Sequence, residues 1–382
     1  MPSGSTVYWS CDITHSWPDY LDVPAIILSF FSLAANLVVT VLLFRLRAKT
    51  ITDLALLRLL SISCLISSFI SLVDDVITYD TMTGNRFFDS LICLLWNSRF
   101  IYWLFLTLVV QSLVFFVCNR AINLLHPEHR RITTENQLLA VYMLTVVGSS
   151  LLIMAPQLLM TRLDREDCAC APAPENIPLL SVVFAHAYLW FLFLAIIYPT
   201  VLVYICITML LRVLRGNRET LVDDLNALYF PNGYSFSATD VCSVSSTVAL
   251  QLSVLSDEQG TNDDDEVSQV TWSASFCIVP LTAAYIATFT YDATYQFLSA
   301  AGKLSYVLRS PAQQFSQVLL ILFTALVPLI LFFHIPAMRS LIFVAIGSLR
   351  KQCRNGLKVE IGESYVLRVK REQSTEPERL RE

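Results

Sequence analysis

The chain has 382 residues, of which 55% are hydrophobic and only 15% charged, with a formal net charge of −5. Its mean hydropathy of +0.58 lies outside the range of soluble globular domains. No nucleic-acid partner is expected.

Taken in chain order, stretches of membrane-spanning length recur at 23–44, 54–73, 91–117, 138–160, 179–211, 267–291 and 315–334. Each holds enough consecutive apolar residues to cross a bilayer as a helix. Within them only Arg58 and Arg99 are charged, both near span ends where a long cation reaches the interface. The predicted fold is therefore an all-α membrane protein, a seven-helix bundle over 23–337 preceded by a short N-terminus, 1–22. The fifth span exceeds a bilayer's need and should run on into cytosol.

Orientation follows from the cations. Residues 1–44 contain no Lys or Arg, whereas Arg45, Arg47, Lys49, then Arg130 and Arg131, then Arg212, Arg215 and Arg218 open alternate connections. The positive-inside bias with an odd span count predicts the N-terminus outside and the C-terminus in the cytosol. No basic region precedes a short apolar core and cleavage site, so span one serves as a signal anchor.

The long connection 212–266 starts basic, passes through a Ser/Thr-rich middle and ends in the acidic run Asp263, Asp264, Asp265 and Glu266. Its middle reads as flexible cytosolic loop. Beyond the bundle, Ile342, Ile346, Leu349 and Cys353 fall on one helical face, predicting an amphipathic helix over 338–353 on the inner leaflet. Cys353 is a palmitoylation candidate. A cytosolic tail, 354–382, follows. Cys11, Cys93, Cys168 and Cys170 lie on the predicted outer, oxidising side. No His/Cys cluster has metal-ligand spacing, and no cofactor is expected.

One string carries a resemblance. Cys118–Pro127, CNRAINLLHP, closes the third span, and NRAINLLHP resembles the Asp-Arg-Tyr…His-Pro element of rhodopsin-like (class A) G-protein-coupled receptors. Asn36 matches the family's span-one asparagine. Pro199, Pro280 and Pro328 match its kink prolines in spans five, six and seven. The chain departs from the family at Ser63 (aspartate), Ile278 (tryptophan), Val327 and Leu331 (asparagine and tyrosine), which removes the oxygen ligands of an allosteric sodium site. The divergence suits an invertebrate-type orphan or neuropeptide receptor.

The resemblance implies roles. Cys93 would be the span-three cysteine tying down the second outer loop, with Cys170 or Cys168 as partner and Cys11 available to the other. Its spacing to Arg120 is about two residues longer than usual. Arg120 and its neighbour Asn119 would form the inner switch. Since Asn119 replaces an aspartate, Asp263 and Asp264 are the expected carboxylates for an inner latch. The position that pairs amines in the family is Tyr102, which disfavours a monoamine. Asp74, Asp75, Arg99, Tyr102, His186, Trp190, Tyr285, Gln313 and Gln317 make up a candidate ligand pocket suited to a peptide. Within it, Asp75 and Arg99 are the pair expected to satisfy each other if no ligand does.

The expected function is a plasma-membrane receptor coupling an extracellular ligand to a heterotrimeric G protein, with receptor kinase and arrestin as further partners. The alternative is a receptor-like protein that no longer signals. A transporter or channel is weaker still, because those need intramembrane carboxylates or repeat symmetry and no Asp or Glu lies within the seven stretches. An enzyme is not expected: no HExxH, paired aspartate or Ser/His arrangement lies at membrane depth.

Overall fold

A computed structural model describes residues 9–11, 20–47, 51–76, 84–125, 135–164, 167–170, 177–215, 275–308, 310–335 and 337–339. The expected latch acids Asp263 and Asp264, the palmitoylation candidate Cys353, the amphipathic helix beyond 339 and the tail lie outside these residues. The chain divides into two units, 1–335 and 336–382.

The first unit is helical. In chain order it comprises β1 (Trp9–Cys11), α1 (Asp22–Arg45), α2 (Ile51–Val76) and α3 (Arg86–Ile92), which runs into a π turn, Cys93–Asn97. Then come α4 (Phe100–Leu125), α5 (Glu135–Met154) with a 3-10 turn (Ala155–Leu159), and the hairpin β2 (Thr161–Asp164) and β3 (Asp167–Cys170). Helix α6 (Ile177–Phe191) continues through a π turn (Leu192–Ile197) into α7 (Tyr198–Arg215). After the 3-10 turn Ser275–Cys277 come α8 (Ile278–Ala300), β4 (Tyr306–Leu308) and α9 (Pro311–His334). Six helical stretches among the described residues are long and apolar enough to cross a membrane: 22–45, 51–76, 100–122, 136–159, 181–211 and 311–334. Helix α8 spans 23 residues, about 34 Å of rise, but is more polar than those six.

The helices close a ring in which α1 packs on α2, α2 on α4, α4 on α7, α7 on α8, α8 on α9 and α9 on α1; α5 packs outside α4 and α2. Helix α4 is the most enclosed of the six. At the Cys93 end, β1 pairs in parallel with β4 and also touches β3.

A seam of small hydroxyl residues sets the close packing of α1, α2 and α9. Ser32 bonds Ser68 at 2.7 Å and Thr324 at 3.1 Å, Thr40 bonds Ser61 at 2.7 Å, and Ser29 bonds Ser71 at 3.2 Å. The Asn36 amide donates to the Thr324 carbonyl at 2.9 Å, on the far side of a helix-to-helix contact. Residues 61, 64, 68 and 71 recur at three- and four-residue intervals, one stripe of α2. Small side chains let backbones approach, and in an apolar medium every hydroxyl needs a partner. Arg58 closes the neighbouring helix end: its guanidinium donates to the Leu43 and Leu46 carbonyls at 3.1 and 2.9 Å, satisfying orphan acceptors at the end of α1.

Three expectations are corrected. The third span is not one helix from Cys93 to Arg120. The π turn ends at Asn97, Arg99 adopts a left-handed backbone (φ 58°), and α4 begins at Phe100, whose N–H donates to the Ser98 hydroxyl at 3.1 Å. Helix α8, which overlaps the expected sixth span 267–291, runs on to Ala300 and so contains Asp292, which is buried. With Asp53, Asp74 and Asp75 inside α2, the premise that no carboxylate lies within the helices fails. Pro280 is the third residue of α8, in its first turn, where a missing N–H is tolerated. Pro199 is the second residue of α7, directly after the π turn of a helix continuous over 181–211, and Pro328 lies inside α9.

The seam generates a packing prediction. Ser68→Leu forces an isobutyl group between α1, α2 and α9 and should destabilise the detergent-purified protein by roughly 1–3 kcal/mol. Ser68→Ala should cost less, measured by thermal unfolding. A leucine variant as stable as the native chain would contradict the seam.

Candidate functional site

Two buried polar clusters stand at opposite ends of α4. At the far end, Asn119 and Arg120 are 3% and 1% exposed. Both donate to Asp53 in the first turn of α2: Asn119 Nδ2 to Oδ1 at 2.6 Å, Arg120 Nη1 to Oδ2 at 3.2 Å. Asp53 is itself 1% exposed. One carboxylate thus holds both residues of the Asn-Arg pair, and it ties α2 to α4. Cys277, at the start of α8, lies within reach of the Arg120 field. The sequence points to an anion here, but in the acidic run before span six. Span two, taken from Leu54, passes over Asp53 by one residue. The signal that identifies Asp53 is an acid at a helix start, where the first-turn N–H groups also favour negative charge.

At the Cys93 end, five of the predicted pocket residues come together. Arg99 Nη2 pairs with Asp74 Oδ2 at 2.5 Å, and Asp75, Tyr102 and Gln317 line the same recess with Trp96. The expected pairing of Asp75 with Arg99 is therefore corrected: Asp74 takes the direct ion pair. A left-handed backbone at a non-glycine residue costs on the order of 1–3 kcal/mol, and the ion pair fixes Arg99 in that conformation. Gln313 is buried in the first turn of α9, where its N–H donates to the Ser310 hydroxyl at 3.4 Å. It lies one turn from Gln317.

His186, Trp190 and Tyr285 belong elsewhere. Trp190 donates through Nε1 to Asp292 at 3.2 Å, and the same carboxylate accepts from Gln296 at 3.0 Å and Ser316 at 2.7 Å. Four helices (α6, α8 and α9, with Trp103 of α4 packed edge-on to Trp190) meet around that acid. His186 stacks at a tilt against Trp190, and beside it lies a second, apolar crevice of about 330 Å³ between α4, α5 and α6. Tyr285 lies deeper, toward the start of α8, where it packs with Phe289 and Phe323 and donates to the Leu194 carbonyl at 2.8 Å. It is fully buried and is no part of the recess. Leu194 is in the π turn, whose displaced backbone frees that carbonyl.

Cys93 is disulfide-bonded, and its carbonyl accepts from the Thr161 hydroxyl at 3.3 Å. Cys64, Cys118, Cys206 and Cys277 are free. Among the described residues no group of His, Cys, Asp or Glu could hold a metal ion.

No protein-family model matches the chain, and no curated protein matches it at a significant level.

Asp53→Ala would strip the carboxylate from a guanidinium already out of water. Removing one partner of a buried pair costs about 3–5 kcal/mol, so this variant should have a sharply lower thermal midpoint. The double variant Asp53→Leu with Arg120→Met should recover most of it. Equal stability of Asp53→Ala and native protein would show that the pair is not the contact described.

Proposed function

We propose that the chain is a divergent rhodopsin-like G-protein-coupled receptor of the plasma membrane, with seven spans, the Cys93 end outside and the Arg120 end in the cytosol. In this reading α8 is the sixth crossing, made tolerable in lipid because its polar residues are turned inward: Asp292, Gln296 and Ser299 are buried. The observation that carries the proposal is the buried Asp53–Asn119–Arg120 contact at the end of the most enclosed helix. An arginine held there by a neighbouring helix is a charge poised to be released, and the site where a G protein engages would lie beside it. The basic openings of the cytosolic connections and their serine-rich middle suit G protein, kinase and arrestin.

At the other end the polar recess supports a ligand site, with a peptide as the favoured ligand. The β2–β3 hairpin covers the neighbouring π turn. Thr161 contacts Cys93 and is the cross-strand partner of Cys170, which favours Cys170 as the disulfide partner. Digestion without reduction, followed by mass spectrometry, should recover a Cys93–Cys170 linked peptide. A Cys93–Cys168 link would reverse the assignment.

The transport alternative does not revive with Asp53, Asp74, Asp75 and Asp292, the helix carboxylates outside the expected spans. Asp292 is held by three neutral donors, and Tyr285, Phe289 and Phe323 close the core between it and the Arg120 end.

The test is signalling. In transfected cells with second-messenger readouts, Asp53→Asn should raise ligand-independent activity several-fold by releasing Arg120, and Arg120→Ala should abolish activity at equal surface expression. Flat responses from both variants across all G-protein classes would favour the non-signalling alternative.

A further inference from the structure

Among the described residues whose charges act on Asp75, three are carboxylate or guanidinium groups: Asp22, Asp74 and Arg99. Asp22 of α1 and Asp74 and Asp75 of α2 lie within one another's fields, and Arg99 is the guanidinium set against them. Arg99 is committed to Asp74 at 2.5 Å. Ser71 supplies a hydrogen bond to Asp75, yet Asp75 Oδ2 stays buried without a partner. Two more polar atoms reach the recess in the same condition: the Tyr102 hydroxyl, on a side chain 6% exposed, and Gln317 Nε2. All three residues line one hollow, walled by Trp96, Leu95 and Ile101. Its volume is about 10 Å³, room for one group of about the size of a water, such as an ammonium, with the rest of any ligand lying at the mouth.

The unmet hydrogen-bonding set has a defined character. Asp75 Oδ2 can only accept, the phenol can accept or donate, and the Gln317 amide nitrogen can only donate. An anion would face an uncompensated carboxylate. An inorganic cation needs several hard oxygens and would meet a nitrogen on one side and apolar wall on another. An ammonium followed by a carbonyl fits all three: the N–H groups donate to Asp75 and Tyr102, and the carbonyl accepts from Gln317. Trp96 and Tyr102 add aromatic surface, which favours an organic cation.

We infer that this recess takes a primary ammonium flanked by a carbonyl, as at the free amino terminus of a peptide. Calling that group part of a signalling ligand rests on the receptor reading; the charge and the donor order rest on the hollow itself. Asp74 stays engaged with Arg99 and shapes the wall, and Asp75 is the counter-ion. Acylation of the amino terminus would therefore convert a ligand into a non-ligand without altering any side chain.

The test uses leucinamide, N-acetyl-leucinamide and n-butylammonium against the purified full chain in detergent, read by thermal unfolding with no G protein present. Leucinamide should raise the unfolding temperature saturably and N-acetyl-leucinamide should not. Asp75→Asn should weaken leucinamide about ten- to hundredfold, the loss of one charge-assisted hydrogen bond, and Tyr102→Phe should weaken it less. Gln317→Leu should weaken leucinamide while leaving n-butylammonium unchanged. Equal protection by the acetylated amide, unchanged affinity in Asp75→Asn, protection by none of the three, or equal protection by sodium replacing N-methylglucamine would each overturn the inference. Because nothing in this assay depends on signalling, its failure leaves the receptor reading standing, and a failure of signalling leaves this result standing.

Discussion

A guanidinium removed from water must be met by an anion, and in this fold that requirement fixes where α2 begins relative to where α4 ends. Arg120 is sealed among apolar residues near the end of α4, and the carboxylate that meets it is the third residue of α2. Sliding α2 by one residue would turn Asp53 about 100° away and leave both charges in a medium that screens neither. The hydroxyl seam depends on the same register. Ser61, Ser68 and Ser71 face α1 only while Asp53 faces α4, since all lie on one rigid helix. One ion pair thus sets the rotational phase of α2, and α2 in turn positions α1 and, through Thr324, α9.

The helices themselves are legible in the sequence because apolar length is a strong signal. The charged residues that define the two clusters are harder to see, for a consistent reason. A hydropathy reading ends a span at the first charge it meets. Span two accordingly runs from Leu54 to Val73, one residue past Asp53 and one short of Asp74, and span six closes one residue before Asp292. Helix continues through all four acids because each finds a partner inside the bundle, and a linear scan cannot know the partner. Arg99 is visible as a charge, but its left-handed backbone is not, because nothing in Asn-Ser-Arg-Phe marks a break that glycine would have announced.

The pocket residues divide along the same line. Asp74, Asp75, Arg99, Tyr102 and Gln317 converge because three helix ends meet there, and all of them stand near span ends in the sequence. Tyr285 joins that group only when span six is closed at Tyr291 rather than Ala300. In the structure, Asp292 and Gln296 occupy the second half of α8, and Tyr285 faces a π-turn carbonyl deep in the core. Trp190 reads as a ligand contact in sequence and as a structural donor in space, held against the one carboxylate that four helices share.

Helix α4 runs from Phe100 to Leu125 without interruption, and its two ends carry the two clusters, Arg99 immediately before its first residue and Arg120 in its last turns. Twenty-one residues at 1.5 Å each separate the two guanidinium-bearing positions by about 30 Å. Both pair with α2, Arg99 with Asp74 and Arg120 with Asp53. The two helices are thus stapled at both ends of their shared length, and neither can slide along the other without breaking both pairs.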